Sequence, residues 1–179
     1  MKVFLVFLSL LSMSSFSKAQ QMFPVDEETK QALVKEVLEV PGTTKTELYD
    51  RAIAWINKFY PNPTGVIQSK NAETGEIIGK AQFKLLGKDK KGVETYDGLV
   101  GYTITFSFKD GKFKYEISRI HWKQASYFDI SKWMDKKDVD YNEVKYQYYL
   151  EQANTYFNSL KTELKKALIT PPVKKKDDW

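Results

Sequence analysis

The stretch Val100 to Trp122, VGYTITFSFKDGKFKYEISRIHW, decides the fold. Val100, Tyr102, Ile104, Phe106 and Phe108 alternate with Gly101, Thr103, Thr105 and Ser107, which gives a strand one dry and one wet face. Asp110-Gly111 then reads as a two-residue hairpin turn, with both central residues expected at positive φ. The partner strand runs from Lys112 to Trp122. Phe113, Tyr115 and Ile117 keep the alternation, whereas Ile120 and Trp122 fall in the opposite phase. That break predicts a bulge near Ser118-Arg119, or a strand end covered on both sides.

Upstream, Ile77, Gly79, Ala81, Phe83 and Leu85 alternate with Ile78, Lys80, Gln82 and Lys84, predicting a second strand with a solvated face. A charged, glycine-rich loop from Gly87 to Gly98 is expected between the two strands, and a short extended piece from Val66 to Ser69 before them. Thr44 with Glu47 forms a capping-box signature and opens a predicted helix from Lys45 to Tyr60, with Leu48, Ala52, Trp55, Ile56 and Phe59 on its apolar face. Pro61 and Pro63 end it. Ala32 to Val40 alternates loosely and is readable as a strand or as the start of a short helix.

Downstream, Tyr127 to Val139 has no clean period and is expected to be a loop with a helical turn around Ser131 to Met134. Asp140 with Glu143 opens a long closing helix striped by Val144, Tyr148, Ala153, Tyr156, Phe157, Leu160, Leu164 and Leu168. Consecutive strands joined by a tight turn imply an antiparallel sheet, and helices at either end of the strand run imply that both cover its dry face. The expected architecture is an α+β two-layer sandwich in the order β-α-β-β-β-β-α, formed by residues 20–170 as one domain, with 171–179 a disordered tail.

The chain has 179 residues, 42% hydrophobic and 15% aromatic, enough for one core without disulfides or a structural metal. It contains no cysteine and one histidine, His121, which excludes thiol catalysis, thiolate metal sites and multi-histidine metal centres. Residues 1–19 read as a signal peptide, with Lys2 at the start, an apolar run from Val3 to Leu11 and Ser17-Lys18-Ala19 at the cleavage position. Without a cysteine to carry a lipid the mature chain is not expected to be a lipoprotein, and no other segment is apolar enough to span a bilayer. Export to the periplasm or the exterior of a bacterium follows as the expectation. The 28 basic and 23 acidic residues give +5; the leader removes Lys2 and Lys18 and no acid, leaving 26 against 23 and a mild +3. Part of that excess lies in Lys84 to Lys91 and in Lys174-Lys175-Lys176, where solvated charge explains it better than a nucleic acid does.

The segment EVPGTTKTELYDRA from Glu39 to Ala52, with Trp55, Val66-Ile67-Gln68 and Gly75-Glu76-Ile77-Ile78-Gly79-Lys80, resembles the bacterial exported domain-of-unknown-function family with a TBP-like fold. The resemblance covers about Val25 to Trp122 and implies a strand at Leu33 to Val40 and a curved antiparallel sheet with two helices on one face. It implies no activity and no DNA binding, because a fold label describes topology and function belongs to a site.

Familiar chemical motifs fail on inspection. Gly87 to Gly92 has the glycine spacing of a phosphate loop, but Val93-Glu94 stands where lysine and a hydroxyl are required. Asp138, Asp140 and Asn142 match the start of a calcium loop, but Glu143 replaces its glycine and Tyr149 its bidentate glutamate. His121 has no recognisable nucleophile partner and reads as structural or exposed. No catalytic, metal or cofactor site is assigned. The candidate interaction surface comprises Lys80, Gln82 and Lys84, with Thr103 and Thr105, on the wet sheet face, or Tyr146 and Tyr149, which cannot both face the sheet along with Tyr148, so that some tyrosine is expected to be exposed or to meet a partner.

Three functions remain open on this reading. The first is a non-catalytic binding or interaction domain of the cell envelope with an unknown protein or glycan partner. The second is an envelope or glycan-acting hydrolase using paired carboxylates, for which the strands between Leu99 and Ile120 offer only Glu116. The third is an envelope-stability role without a small ligand.

Overall fold

A computed structural model describes residues 22–170. The expected leader at 1–19 and the expected tail at 171–179 lie outside the described residues. Six strands, β1 (Val34–Glu39), β2 (Ile67–Asn71), β3 (Glu76–Lys88), β4 (Glu94–Lys109), β5 (Lys112–Lys123) and β6 (Tyr127–Asp129), form one antiparallel sheet. Its order is β1-β5-β4-β3-β2, with β6 added beside β5. Three helices accompany them: α1 (Lys45–Phe59), the single turn α2 (Pro63–Val66) and the long α3 (Glu143–Ile169), with a 3-10 turn at Ile130–Met134. No described helix is long and apolar enough to cross a membrane.

The alternation that defines β4 is the alternation that builds the core. Ile77, Leu85, Ile104, Phe106, Phe108, Phe113, Tyr115 and Ile117 all lie buried beneath α1 and α3. Register aligns them in rows, with Ile77 opposite Phe106 and Phe106 opposite Tyr115. Burying such a side chain contributes about 1.5–3 kcal/mol, so these rows fix the sheet's register and the placement of both helices.

Several expectations are corrected. The order acquires a helical turn, α2, and a sixth strand, β6, neither of which carries enough periodic residues to register in the sequence. The loop between β3 and β4 shrinks to residues 89–93, because the polar residues from Glu94 to Gly98 continue the ladder to Lys88. In the hairpin turn only Gly111 has positive φ, at 73°. Asp110 instead turns its carboxylate to the first amide of α1, accepting from Lys45 N at 2.7 Å. Thr44 caps α1 as expected, but Glu47 pairs with Arg51 at 2.5 Å rather than closing the capping box. The cap of α3 is Asn142, whose side chain accepts from Lys145 N, not Asp140.

The bulge predicted near Ser118-Arg119 is present. Register slips between Thr103 opposite Ser118 and Gly101 opposite His121, and Arg119 absorbs the extra residue at φ 51°. The slip returns Ile120 and Trp122 to the core face, where both are buried. It also divides the outer edge of β5: β1 pairs from Lys112 to Ile117 and β6 from His121 to Lys123. Asp129 joins the two segments, accepting from Ala32 N at 3.0 Å and Ser131 N at 2.9 Å.

Candidate functional site

Both long helices cover one face of the sheet, which leaves the other open. On that face the backbone alternation places Lys80 and Gln82 of β3, Gly101 and Thr103 of β4, and His121 and Lys123 of β5 in adjacent positions. They border a hollow of about 670 Å³ that wraps the edge of β3, where the α1–α2 connection passes. β2 stops pairing at Gly79, so Lys80 to Lys84 have no neighbouring strand on that side.

The floor of the hollow is Gly101. A Cβ there would lie 2.8 Å from His121 Cε1 and 3.3 Å from Lys123 Cε, so the absence of a side chain on a central strand makes the space both residues occupy. The His121 Nδ1 lies 2.7 Å from the Arg119 carbonyl oxygen. A carbonyl only accepts, so Nδ1 carries the proton and Nε2 is left above Gly101. The ring stacks on Tyr127, with centroids 5.2 Å apart. Lys123 Nζ donates to Gln82 Oε1 at 2.6 Å across the face. Arg119, released by the bulge, lines the same hollow.

Lys80, Arg119 and Lys123 bring three positively charged side chains to this place. None of the three pairs with a carboxylate, and no carboxylate lines the hollow, among the described residues. Below it the hydroxyls of Tyr60, Tyr102 and Tyr156 form a chain, at 3.0 Å and 2.9 Å. Burial pushes all three phenols above their ordinary range, so they are neutral donors and acceptors that join the residue closing α1 to β4 and α3.

Of the residues expected to form an interaction surface, the structure brings Lys80, Gln82 and Thr103 together. Lys84 is exposed but faces a separate groove with Glu94, Tyr148 and Glu151. Tyr146 and Tyr149 are corrected: both are buried, at 7% and 0% exposure. The stripe of α3 begins at Tyr146, Tyr149, Leu150 and Ala153, an i, i+3, i+4, i+7 series that leaves Val144 84% exposed and Tyr148 half-buried off the seam. Tyr149 donates to the Asp97 carboxylate and packs on Trp122 and Trp133. Arg119, His121, Lys123 and Gly101 were not singled out as a group by sequence reasoning. The phase break at Ser118-Arg119 was the signal that could have found them, because a bulge re-aims side chains.

A second depression, beside β1, gathers Asp26, Glu27, Glu28 and Glu36. Asp26 is held below its ordinary value by hydrogen bonds from its own turn, chiefly from Thr29. Burial pushes Glu36 up, but hydrogen bonds from Lys165 and Tyr115, each 2.7 Å, outweigh it and leave the carboxyl below its usual range. Among the described residues no group of three or more His, Asp or Glu side chains is arranged to hold a metal ion.

Fold and site together define a two-layer α+β domain that presents its distinctive chemistry on an uncovered sheet face. Residues 35–123 match the family model described as a domain of unknown function (DUF4468) with TBP-like fold, and the chain belongs to that family. Its fold is similar to that of a DUF4468 family protein from Bacteroides ovatus, at 15% identity and TM-score 0.64 over 84% of this chain and 94% of the other. It is likewise similar to a TBP-like protein from Parabacteroides distasonis, at 14% identity and TM-score 0.65 over 83% and 98%. No curated protein matches the chain.

Proposed function

We propose that this chain is a non-catalytic binding domain, exported to the bacterial cell envelope, that engages its ligand on the open sheet face at the hollow over Gly101. The observation that carries the reading is the set of positioned polar and cationic side chains, the cations without a carboxylate partner, on the one face the helices leave free. Export is supported by the leader-like composition of residues 1–19. The hydrolase alternative loses support from the two shifted carboxylates, Asp26 and Glu36. Both are held toward the ionised form, whereas a general acid needs the opposite shift.

The test is retention of envelope components by the immobilised full chain, compared with Thr103→Trp, which fills the hollow from a half-buried outward position without touching the core. Components retained by the wild type are expected to be lost from the variant. An unchanged set would show that the hollow is not the binding surface.

A further inference from the structure

We infer that the hollow is an oxyanion site for a phosphate group, with Arg119, Lys123 and Lys80 as the charge partners and the His121 ring walling the floor beside Gly101. The inference rests on the proposed binding face and names the chemistry of its ligand. A loose cluster of surface lysines would not support it, because solvated charges need no partner. Here the backbone at Arg119, the Lys123–Gln82 bond, the contacts of His121 and the bare Gly101 give the place a defined shape.

Arg119 is one of two non-glycine residues with positive φ among those described. The left-handed region is unfavourable for a residue with a side chain, a cost glycine avoids, and strain of this kind gathers where a side chain has a task. At this position Arg119 lines the hollow, and the planar fork of a guanidinium matches the oxygens of a phosphate. Lys123 is anchored by Gln82, so its ammonium is held over the face instead of sweeping through solvent. His121 is fixed by the Arg119 carbonyl and by Tyr127, and Gly101 gives up a side chain in a central strand to admit it. Three like charges on neighbouring strands repel one another, and no carboxylate of the hollow relieves them. A multiply charged anion does.

The test is titration of the full chain with inorganic phosphate, followed by amide chemical shifts, beside Arg119→Gly, Lys123→Gln and galacturonate as a singly charged carboxylate probe. Phosphate is expected to shift Gly101, Thr103 and His121, and each variant is expected to weaken binding about tenfold or more, the loss of one charge-assisted contact. Arg119→Gly relieves the strained φ, so it should melt no lower than the wild type, and the lost affinity cannot then be ascribed to unfolding. Vesicles of phosphatidylcholine containing phosphatidylglycerol identify the source: binding that Arg119→Gly removes points to a lipid headgroup, and binding of inorganic phosphate alone points to a free or polymer-borne phosphate. Either supports the site. Tighter binding of galacturonate than phosphate, shifts confined to other surfaces, or full affinity in both variants would overturn it. If Thr103→Trp abolishes capture of envelope components while phosphate has no effect, the anion assignment fails and the binding face stands. If phosphate binds as described while capture is unchanged, the reverse holds.

Discussion

Glu36 sits on β1 with its side chain turned to the core face, where a carboxylate is costly unless its oxygens are occupied. Tyr115 donates to one oxygen and Lys165 to the other, both at 2.7 Å, and the pair is half open to solvent. The carboxyl therefore titrates below the 4.5 of a free glutamate. Stability from this group is fully present above that value and is lost as pH falls through the lower native one. Glu36→Gln should flatten the decline in melting temperature on acidification below pH 4.5, measured by thermal unfolding across an acid series. An acid limb as steep as in the wild type would refute this role. Charged residues of this kind were invisible as core members in the sequence, since Glu36 falls in a loosely alternating segment readable in two ways.

The edge of β3 shows how one element finishes another. β2 covers the edge up to Gly79, and at Leu86 the side chain of Gln152 on α3 takes the place of a strand, accepting from Leu86 N at 3.0 Å and donating to Leu86 O at 2.9 Å. An amide is the one side chain that offers both a donor and an acceptor in this arrangement. Gln152→Leu leaves two partly buried backbone groups without partners, and it should cost about 1–3 kcal/mol in urea unfolding. A cost below a few tenths would mean that water replaces the amide freely. The strands β3 and β4 were legible because period-two patterns over nine residues leave little ambiguity, and β5 because the alternation from Phe113 to Ile117 follows a turn signal at Asp110-Gly111. β6, with three residues, and α2, with four, were not, because such short pieces are set by what they dock against. α3 was legible in extent and wrong in phase at its start: Val144 and Tyr148 looked apolar enough to begin the seam, but Trp122 and Trp133 supply the surface that Tyr146 and Tyr149 cover.

Phe157 stands where the molecule is tied together. It packs against Phe23 of the N-terminal segment, Phe83 of β3, Tyr102 of β4 and Tyr156 of its own helix, with centroids 5.2–5.8 Å apart. Because one side chain joins segments far apart in sequence, its loss should lower stability throughout and not locally. Phe157→Ala is expected to cost about 3–5 kcal/mol while unfolding stays a single transition seen equally by near- and far-ultraviolet circular dichroism. Separate transitions by the two probes would show that α3 and the sheet unfold independently.

Three of the hollow's residues, Lys80, Gln82 and Thr103, could be picked from the sequence because a wet strand face is a local property. The alternation of apolar and polar residues reports which side each residue takes, whatever lies beyond. Period, caps and prolines likewise dictated an antiparallel sheet with α1 and α3 on one side, and the break at Ser118-Arg119 marked the bulge. The meeting of Arg119, His121 and Lys123 with Lys80 and Gln82 depends instead on the register between β3, β4 and β5 and on the extra residue at the bulge. A slip of one residue would send every side chain of a strand to the opposite face. Register is fixed by the rows of large side chains under the helices, a property of all the contacts at once, and so only the folded chain decides that these charges share one floor.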